Sequence, residues 1–208
     1  MSLHLVSNSR MSLQEFTQIA KQVDSYIDYF HIREKQKSAQ EIYDGVSEML
    51  LAGINPSKIL INDRVDVALA LEVGGVQLAY HSLPTSIVKS QFTNLVVGRS
   101  IHSKEEALSA EEASADFAIY GHIFSTDSKP GLQPRGCKLL NEICKSTTLP
   151  IIGIGGITPL NTIEVLRNGA KGVAVISGIL NQVDPIHAAF QYKQSILKWE
   201  EEQREKSL

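Results

Sequence analysis

The chain has 208 residues, of which 43% are hydrophobic and 21% are charged, so it has the size and composition of one globular domain. A net charge of -3 supplies no basic surface field, which argues against nucleic acid as the main partner. Residues 1–5 do not begin a signal peptide, and no apolar run approaches the roughly 20 residues of a membrane span, so we expect a cytoplasmic protein without a membrane partner.

Short apolar runs rich in β-branched residues predict eight strands along the chain. They are residues 3–7, 29–33, 58–63, 76–80, 94–100, 116–123, 150–156 and 172–178. Several are apolar throughout, as at 173–176. Continuous apolar strands are typical of a parallel sheet that is covered on both faces.

Segments with helical spacing lie between and after the predicted strands. They are residues 12–24, 38–52, 65–72, 84–90, 103–114, 136–145, 159–168 and 184–202. Ser103 with Glu106 is a candidate capping box, Thr158 with Pro159 suggests an N-cap and a first helical residue, and Gly169 is a stop signal.

The regular alternation of eight strand–helix units predicts an α/β fold, a (β/α)8 TIM barrel. A single domain would cover residues 1–208, with a charged helix end at about 198–208. An open doubly wound sheet is the alternative.

Polar or glycine-rich residues follow six of the predicted strands, at the end where TIM barrels carry their active sites. The positions are 33–35, 62–64, 98–100, 121–122, 155–156 and 177–178. A hydrophobic core does not need such residues, so together they predict a functional site at the C-terminal rim of the barrel.

The last two strands predict a phosphate site. Gly155 and Gly156 leave strand seven, and Ile176, Ser177 and Gly178 leave strand eight. Glycines let backbone N–H groups approach an anion, and the loops after strands seven and eight are the usual phosphate site of this fold. Two tight turns that merely need positive φ are the alternative.

Cationic residues accompany this site. Arg33 and Lys35 place positive charge over the predicted barrel mouth, which suits a phosphate or a carboxylate, although a pair of solvated surface charges is the alternative. The polar loop 125–135 is a candidate lid that carries Lys129.

Of the six histidines, His122 alone ends a buried strand beside a glycine and precedes the candidate lid. An imidazole can take and give a proton near neutral pH, so His122 is a candidate acid/base, with a structural role as the alternative. His31 fits a buried strand position and His102 a helix cap. No argument for function attaches to the others, His4, His81 and His187.

The two cysteines predict neither a disulfide nor a metal site. Cys137 and Cys144 lie in one predicted helix, which separates them by about 10 Å at about 1.5 Å per residue. A disulfide cannot span that distance, and two cysteines without further Cys or His ligands do not form a zinc site. We expect free thiols, no metal and no cofactor.

Seven stretches together are similar to the thiamine phosphate synthase/TenI superfamily. They are HIREK (31–35), INDRVDVA (61–68), GVQL (75–78), GRSIHS (98–103), GHIF (121–124) with Thr126 and Lys129, IGGI (154–157) and GAKGVAVIS (169–177). The resemblance covers nearly the whole chain. It implies a TIM barrel and thiamine-pathway chemistry on a thiazole phosphate.

Departures from the synthase pattern decide which branch the chain resembles. Synthases of this superfamily couple a pyrimidine pyrophosphate to a thiazole phosphate, and they bind Mg²⁺ through two aspartates. Asp63 matches the first, but Ser82 stands where the second belongs, and a hydroxyl replaces a carboxylate poorly at a hard cation. Synthases also usually carry histidine where Gln77 stands and proline where His122 stands.

The Gly-His-x-Phe pattern at 121–124 resembles the TenI-type thiazole tautomerases, in which this histidine is catalytic. The resemblance implies a metal-independent isomerase that converts a non-aromatic carboxythiazole ethyl phosphate to the aromatic one by proton transfer through His122. The implied phosphate ligands are Gly155, Gly156, Ile176, Ser177 and Gly178, and the other implied substrate ligands are Arg33, Lys35, Asn62, Ser100 and Lys129.

Two alternatives stay open. One is a thiamine phosphate synthase-like coupling enzyme, and the other is a non-catalytic regulatory barrel that binds a phosphate ligand. A homo-oligomer is compatible with the sequence, which carries no signal for or against it.

Overall fold

Eight short apolar strands pair in chain order, each parallel to the next, and the last strand pairs with the first to close a barrel. In this computed structural model, which describes residues 1–206, the strands are β1 (Ser2–Val6), β2 (Tyr29–Ile32), β3 (Ile59–Asn62), β4 (Gly75–Leu78), β5 (Val96–Ile101), β6 (Phe117–Gly121), β7 (Ile151–Ile154) and β8 (Gly172–Val175). The predicted single-domain TIM barrel is confirmed, and the open doubly wound sheet is excluded.

Helices follow the strands and form the outer layer. They are α1 (Leu13–Val23), α2 (Ala39–Leu51), α3 (Val65–Ala70), α4 (Thr85–Gln91), α5 (Lys104–Glu112), α6 (Gly136–Ser146), α7 (Thr162–Arg167), α8 (Ser177–Leu180) and α9 (Pro185–Glu205). The charged helix end predicted at 198–208 belongs to α9 as far as Glu205, and its last two residues lie outside the described part of the chain. Within residues 1–206, no helix has the length and apolar character of a membrane span.

Local hydrogen bonds explain where α5 begins. The Ser103 hydroxyl accepts the backbone N–H of Glu106, as the capping-box pattern predicts. The Glu106 carboxylate, however, accepts the N–H of His102 at 2.6 Å instead of that of Ser103. Only half of the predicted box therefore forms.

The predicted helix 159–168 begins later than expected, at Thr162. The Asn161 side-chain oxygen accepts the N–H of Thr158 at 2.7 Å, and this bond holds residues 158–161 in a turn before the helix starts. Gly169, the predicted stop signal, follows the helix with φ near +104°.

The predicted strand 172–178 also ends early, at Val175. Ile176 leaves the extended conformation, with φ of -117° and ψ of -89°, and Ser177 and Gly178 open the short helix α8. The residues expected at a strand end thus form the first turn of a helix.

Alternation along the strands divides their side chains between the barrel interior and the helix layer. The apolar interior is a small cluster of Val6, Leu60, Phe117, Ile119, Ile152 and Ala174. The larger core lies between strands and helices and contains, for example, Leu5, Phe16 and Phe30. Three polar side chains, His4, His31 and Gln77, are buried on the strands as well.

Candidate active site

A cavity of about 480 Å³ lies at the C-terminal rim of the barrel, within the size range of small-molecule sites. Every residue predicted from the sequence for the site lines this cavity, namely Arg33, Lys35, Asn62, Ser100, His122, Lys129, Gly155, Gly156, Ile176, Ser177 and Gly178. The structure thus brings together residues from all parts of the chain. Their individual roles remain predictions.

Two glycines after β7 allow the loop after β6 to pack directly on them. Gly155 and Gly156 have φ of +99° and +64°. A Cβ on Gly155 would lie 2.4 Å from the Cβ of His122, and one on Gly156 would lie 2.3 Å from the carbonyl oxygen of Ser125. Glycine is therefore required here both for the backbone conformation and for the close approach of the His122 loop.

The start of α8 supplies a second backbone segment at the cavity. The first N–H groups of a helix have no intrahelical acceptor, and in this fold they commonly face the phosphate of a ligand. Gly178 also lets α9 approach, because a Cβ there would lie 2.1 Å from the hydroxyl of Tyr192. That hydroxyl donates to the carbonyl oxygen of Ile157 at 2.7 Å, so α9 fixes the loops after β7 and β8 together.

His122 follows β6 and is 5% exposed. Its Nε2 lies 3.2 Å from the carbonyl oxygen of Leu132. Because a carbonyl can only accept, Nε2 carries the proton of the neutral ring and Nδ1 is the unprotonated nitrogen. Within residues 1–206, Nδ1 is buried and has no hydrogen-bond partner.

The segment 123–135 closes back on the strand from which it leaves. The N–H of Arg135 donates to the carbonyl oxygen of His122 at 3.0 Å, and the N–H of Gly136 donates to that of Ile123 at 3.1 Å. The two ends of the segment are therefore joined beside the cavity, and the carbonyl oxygen of Leu132 within it is the hydrogen-bond partner of the His122 ring.

This segment adds a cation to those after β2. Burial lowers the pKa of Lys129, and the positive charges of Arg135, Arg33 and Lys35 lower it further. The charges of these three residues therefore act on Lys129. An anion in the cavity would offset this repulsion.

Asp63 lies on the cavity wall directly after β3. Its φ is +63°, a conformation that aspartate tolerates better than most side chains. The Ser82 hydroxyl donates to one carboxylate oxygen, and Nε2 of His81 lies 3.3 Å from the other. Two side chains from the loop after β4 therefore occupy both oxygens of the Asp63 carboxylate.

Sequence reasoning missed three histidines that belong to this region. His81 contacts Asp63, and both His81 and His102 line the cavity. The signal in the sequence was their position in the loops that follow β4 and β5. His4, which faces the barrel interior, hydrogen-bonds His31 on the cavity wall. No sequence pattern pairs residues on two different strands.

The two cysteines lie away from the cavity lining, both in α6 and both as free thiols. Burial raises the pKa of each to about 11, so neither is activated as a thiolate. Among residues 1–206, no three His, Cys, Asp or Glu side chains converge in the manner of a metal centre.

The chain matches a known family over most of its length. The model of the family described as thiamine monophosphate synthase matches residues 3–179. The thiamine-phosphate synthase of Desulfitobacterium hafniense (strain Y51) is 39% identical over 174 residues, which cover 82% of this chain and 84% of that protein. The thiamine-phosphate synthase of Pyrococcus furiosus is 32% identical over 185 residues, with coverages of 88% and 89%.

A solved structure agrees. The thiamine phosphate pyrophosphorylase from Pyrococcus furiosus has a TM-score of 0.81 and 28% identity, and the match covers 95% of this chain and 96% of that one. The two sequence relatives are named synthases and the solved structure is named a pyrophosphorylase, and these names favour the coupling alternative over the tautomerase branch. The chain belongs to the thiamine monophosphate synthase family, whose members are enzymes of thiamine biosynthesis.

Proposed function

We propose that this protein is a thiazole tautomerase, an isomerase that converts a non-aromatic carboxythiazole ethyl phosphate into the aromatic carboxythiazole phosphate without a metal ion. The observation that carries the proposal is His122 itself. It is a buried imidazole on the cavity wall whose Nε2 is bound to a loop carbonyl, while Nδ1 has no partner within residues 1–206. A ring held in this way can accept a proton at Nδ1 and return it.

The reaction needs only one proton to change place. The substrate ring is non-aromatic because of an exocyclic double bond. Nδ1 of His122 removes the proton from the ring carbon that bears the carboxylate, the ring π electrons shift, and the imidazolium returns a proton to the exocyclic carbon. Substrate and product are isomers, and aromatisation supplies the driving force.

The phosphate would anchor the substrate beside this base. Gly155 and Gly156 after β7, and Ser177 and Gly178 at the start of α8, are the backbone segments proposed to hold it. Because Gly155 packs against His122, the proposed phosphate-binding loop and the proposed base are in direct contact. Such an arrangement favours catalysis by positioning.

The substrate carboxylate would meet positive charge at the mouth. Arg33, Lys35 and Lys129 line the cavity, and burial together with the neighbouring positive charges lowers the pKa of Lys129. Asn62 and Ser100 line the same wall and can donate hydrogen bonds to the ligand. A dianionic or trianionic ligand therefore suits the cavity electrostatically.

A thiamine-phosphate synthase is the second candidate, and the names of the relatives favour it. Such an enzyme needs Mg²⁺ to balance a pyrophosphate. The residues present fit this ion poorly, because Asp63 is a single carboxylate whose two oxygens are taken by Ser82 and His81. Magnesium sites in proteins use carboxylates that remain free to face the ion and its waters.

One experiment separates the two candidates. Purified protein is given the non-aromatic carboxythiazole phosphate in one tube, and the aromatic thiazole phosphate with pyrimidine pyrophosphate and Mg²⁺ in another. We expect conversion to the aromatic thiazole in the first tube, unaffected by a chelator, and no thiamine phosphate in the second. Metal-dependent formation of thiamine phosphate without isomerisation would reverse the assignment.

A further inference from the structure

We propose that His31 contacts the ligand at the floor of the cavity and that His4 is a positioning residue, which sets whether His31 offers the ligand a hydrogen-bond donor or an acceptor. The proposal rests on the proposed function in one respect, since it takes the ligand to be a carboxylated heteroaromatic phosphate. It adds two residues inside the barrel to the catalytic site at the rim.

The two imidazoles form a direct hydrogen bond inside the barrel. Nδ1 of His4 lies 2.8 Å from Nε2 of His31, and the residues are 2% and 1% exposed. The other nitrogen of His4, Nε2, lies 2.9 Å from the Ser2 hydroxyl. The other nitrogen of His31, Nδ1, is buried without a partner within residues 1–206, on a residue that lines the cavity.

Counting protons links the two rings. A neutral imidazole has one protonated nitrogen and one unprotonated nitrogen, and the nitrogens that face each other share a single proton. If His4 donates, Nδ1 of His31 carries a proton and is a donor. If His31 donates, Nδ1 of His31 is a bare acceptor. The Ser2 hydroxyl matches either state, because it can donate or accept, so both rings must be Nδ1–H or both must be Nε2–H.

Burial keeps the pair in this neutral regime. It lowers the pKa of His4 to about 3 and lowers that of His31 well below its ordinary value, and His4 lowers the pKa of His31 further by charge repulsion. The choice that remains to the pair near neutral pH is between the two matched tautomers, with no change of charge.

Neighbouring atoms indicate that this floor is built for a polar ligand. The side-chain oxygens of Gln77 and Asn62 are also buried without partners within the described chain, and both residues line the same cavity. Gln77 is held by a bond from its Nε2 to the Ser100 hydroxyl at 3.0 Å. Unpartnered buried polar atoms are costly, so these atoms on one cavity wall point to a polar ligand. The two amide oxygens only accept and need donors such as water that enters with the ligand, whereas Nδ1 of His31 can itself be protonated and donate to it.

The ligand selects one of the two states. The carboxylate, the phosphate and the ring nitrogen of a thiazole are all acceptors, so Nδ1 of His31 must donate to whichever of them reaches it. We therefore expect both histidines to be Nδ1–H when the aromatic carboxythiazole phosphate is bound, with Ser2 donating to His4.

Nitrogen NMR of histidine-labelled protein reads the tautomers directly, since protonated and bare ring nitrogens differ widely in chemical shift. We expect matched tautomers for His4 and His31 in the free protein, and the Nδ1–H state for both with the aromatic carboxythiazole phosphate. Inorganic phosphate alone, held at the rim, should leave the His31 signals unchanged. Opposite tautomers in the two rings, or a His31 signal that ignores the bound product, would overturn the inference.

Variants separate positioning from packing. His4→Phe should raise the KM on the order of tenfold with little change in kcat, because His31 loses the partner that orients its proton. His4→Asn keeps an amide near the position of Nδ1 and should restore most of the loss. Tyr29→Phe is the matched control, because its ring packs 4.9 Å from that of His4, and it should leave KM unchanged. Equal effects of His4→Phe and His4→Asn would contradict a positioning role.

The outcomes keep this inference apart from the proposed function. Product that shifts the His31 signals in a protein without isomerase activity would contradict only the proposed function. Full isomerase activity with an unresponsive His31 would contradict only this inference. Failure of the product to bind, seen by its phosphorus signal, would overturn both.

Discussion

The two rims of the barrel treat their polar groups in opposite ways. At the N-terminal rim, Asp28 accepts the backbone N–H of Leu3 at 2.8 Å and pairs with Lys193 at 3.1 Å. Asp116 likewise accepts the N–H of Val97 at 2.6 Å and pairs with Lys89 at 2.9 Å. Each carboxylate therefore accepts a hydrogen bond from a strand N–H and forms an ion pair with a lysine.

At the C-terminal rim and just below it, buried polar atoms are left without partners. They are Nδ1 of His122, Nδ1 of His31, and the side-chain oxygens of Asn62 and Gln77, counted within residues 1–206. Lys129 lies among like charges. The two carboxylates at the N-terminal rim are thus paired within the protein, whereas these atoms near the C-terminal rim are left for a ligand, with Asp63 as an exception because Ser82 and His81 contact it.

Among substitutions at the two rims, we expect the largest loss of activity at His122. His122→Gln should keep the fold and reduce isomerisation by about 10²–10⁴-fold, the range typical of an acid/base residue. His102→Gln is the matched control, because His102 lines the cavity beside the same loop but has no proposed proton transfer. Rates for the three proteins on the non-aromatic substrate test this. Equal rates for wild type and His122→Gln would show that His122 is not the acid/base residue.

The second prediction concerns the close packing of Gly155 against His122. Gly155→Ala places a Cβ 2.4 Å from that of His122 on a backbone with positive φ, so we expect turnover to fall by about 100-fold through misplacement alone. Gly53→Ala is the matched control, because φ is +93° there but nothing lies within 4 Å of the added atom. It should cost about 1 kcal/mol of stability and no activity. A fully active Gly155→Ala would contradict the coupling of phosphate loop and base.

The buried histidines of the interior predict how stability depends on pH. The unfolded chain takes up protons on histidine near the ordinary pKa of 6.5, whereas burial lowers the pKa of folded His4 to about 3. The free energy of unfolding should therefore be highest above pH 6.5 and fall as the pH drops, by about 1.4 kcal/mol per unit for His4 alone. Urea unfolding of wild type and His4→Asn between pH 7 and 5 measures this contribution. Parallel pH profiles would show that His4 titrates normally in the folded state.

The smallest effect is expected at the opposite rim. Asp116→Asn removes the charge that pairs with Lys89 but keeps an acceptor for the N–H of Val97. We expect a loss of about 1 kcal/mol in the free energy of unfolding, with kcat and KM unchanged. A change in KM without a change in stability would mean that the two rims are not separate in function.

Much of the fold follows from local patterns. The apolar strands alternate with capped helices, and each rule acts within a few residues, as at the serine that caps α5. The cavity lining also follows, because the ends of parallel strands meet at one rim once the barrel is accepted. The sequence alone therefore predicts that His122, Gly155 and Lys129 lie at this rim.

What could not be predicted depends on contacts between distant strands. The bond between His4 and His31 joins residues 27 positions apart, and the lock on Asp63 by Ser82 joins residues 19 apart. No rule of sequence spacing predicts either of these two hydrogen bonds. The start of α8 at Ser177 was missed for another reason, since an apolar run such as 173–176 carries no signal that its last residue leaves the sheet.

Isotope incorporation tests most directly whether His122 carries the proton. Wild-type protein and His122→Gln are each mixed with the non-aromatic carboxythiazole phosphate in D₂O, and the exocyclic carbon is followed by proton NMR. We expect wild type to place solvent deuterium at that carbon as the aromatic signals appear, and the variant to do so no faster than buffer. Deuterated aromatic product formed at the wild-type rate by His122→Gln would contradict the claim that His122 carries the proton.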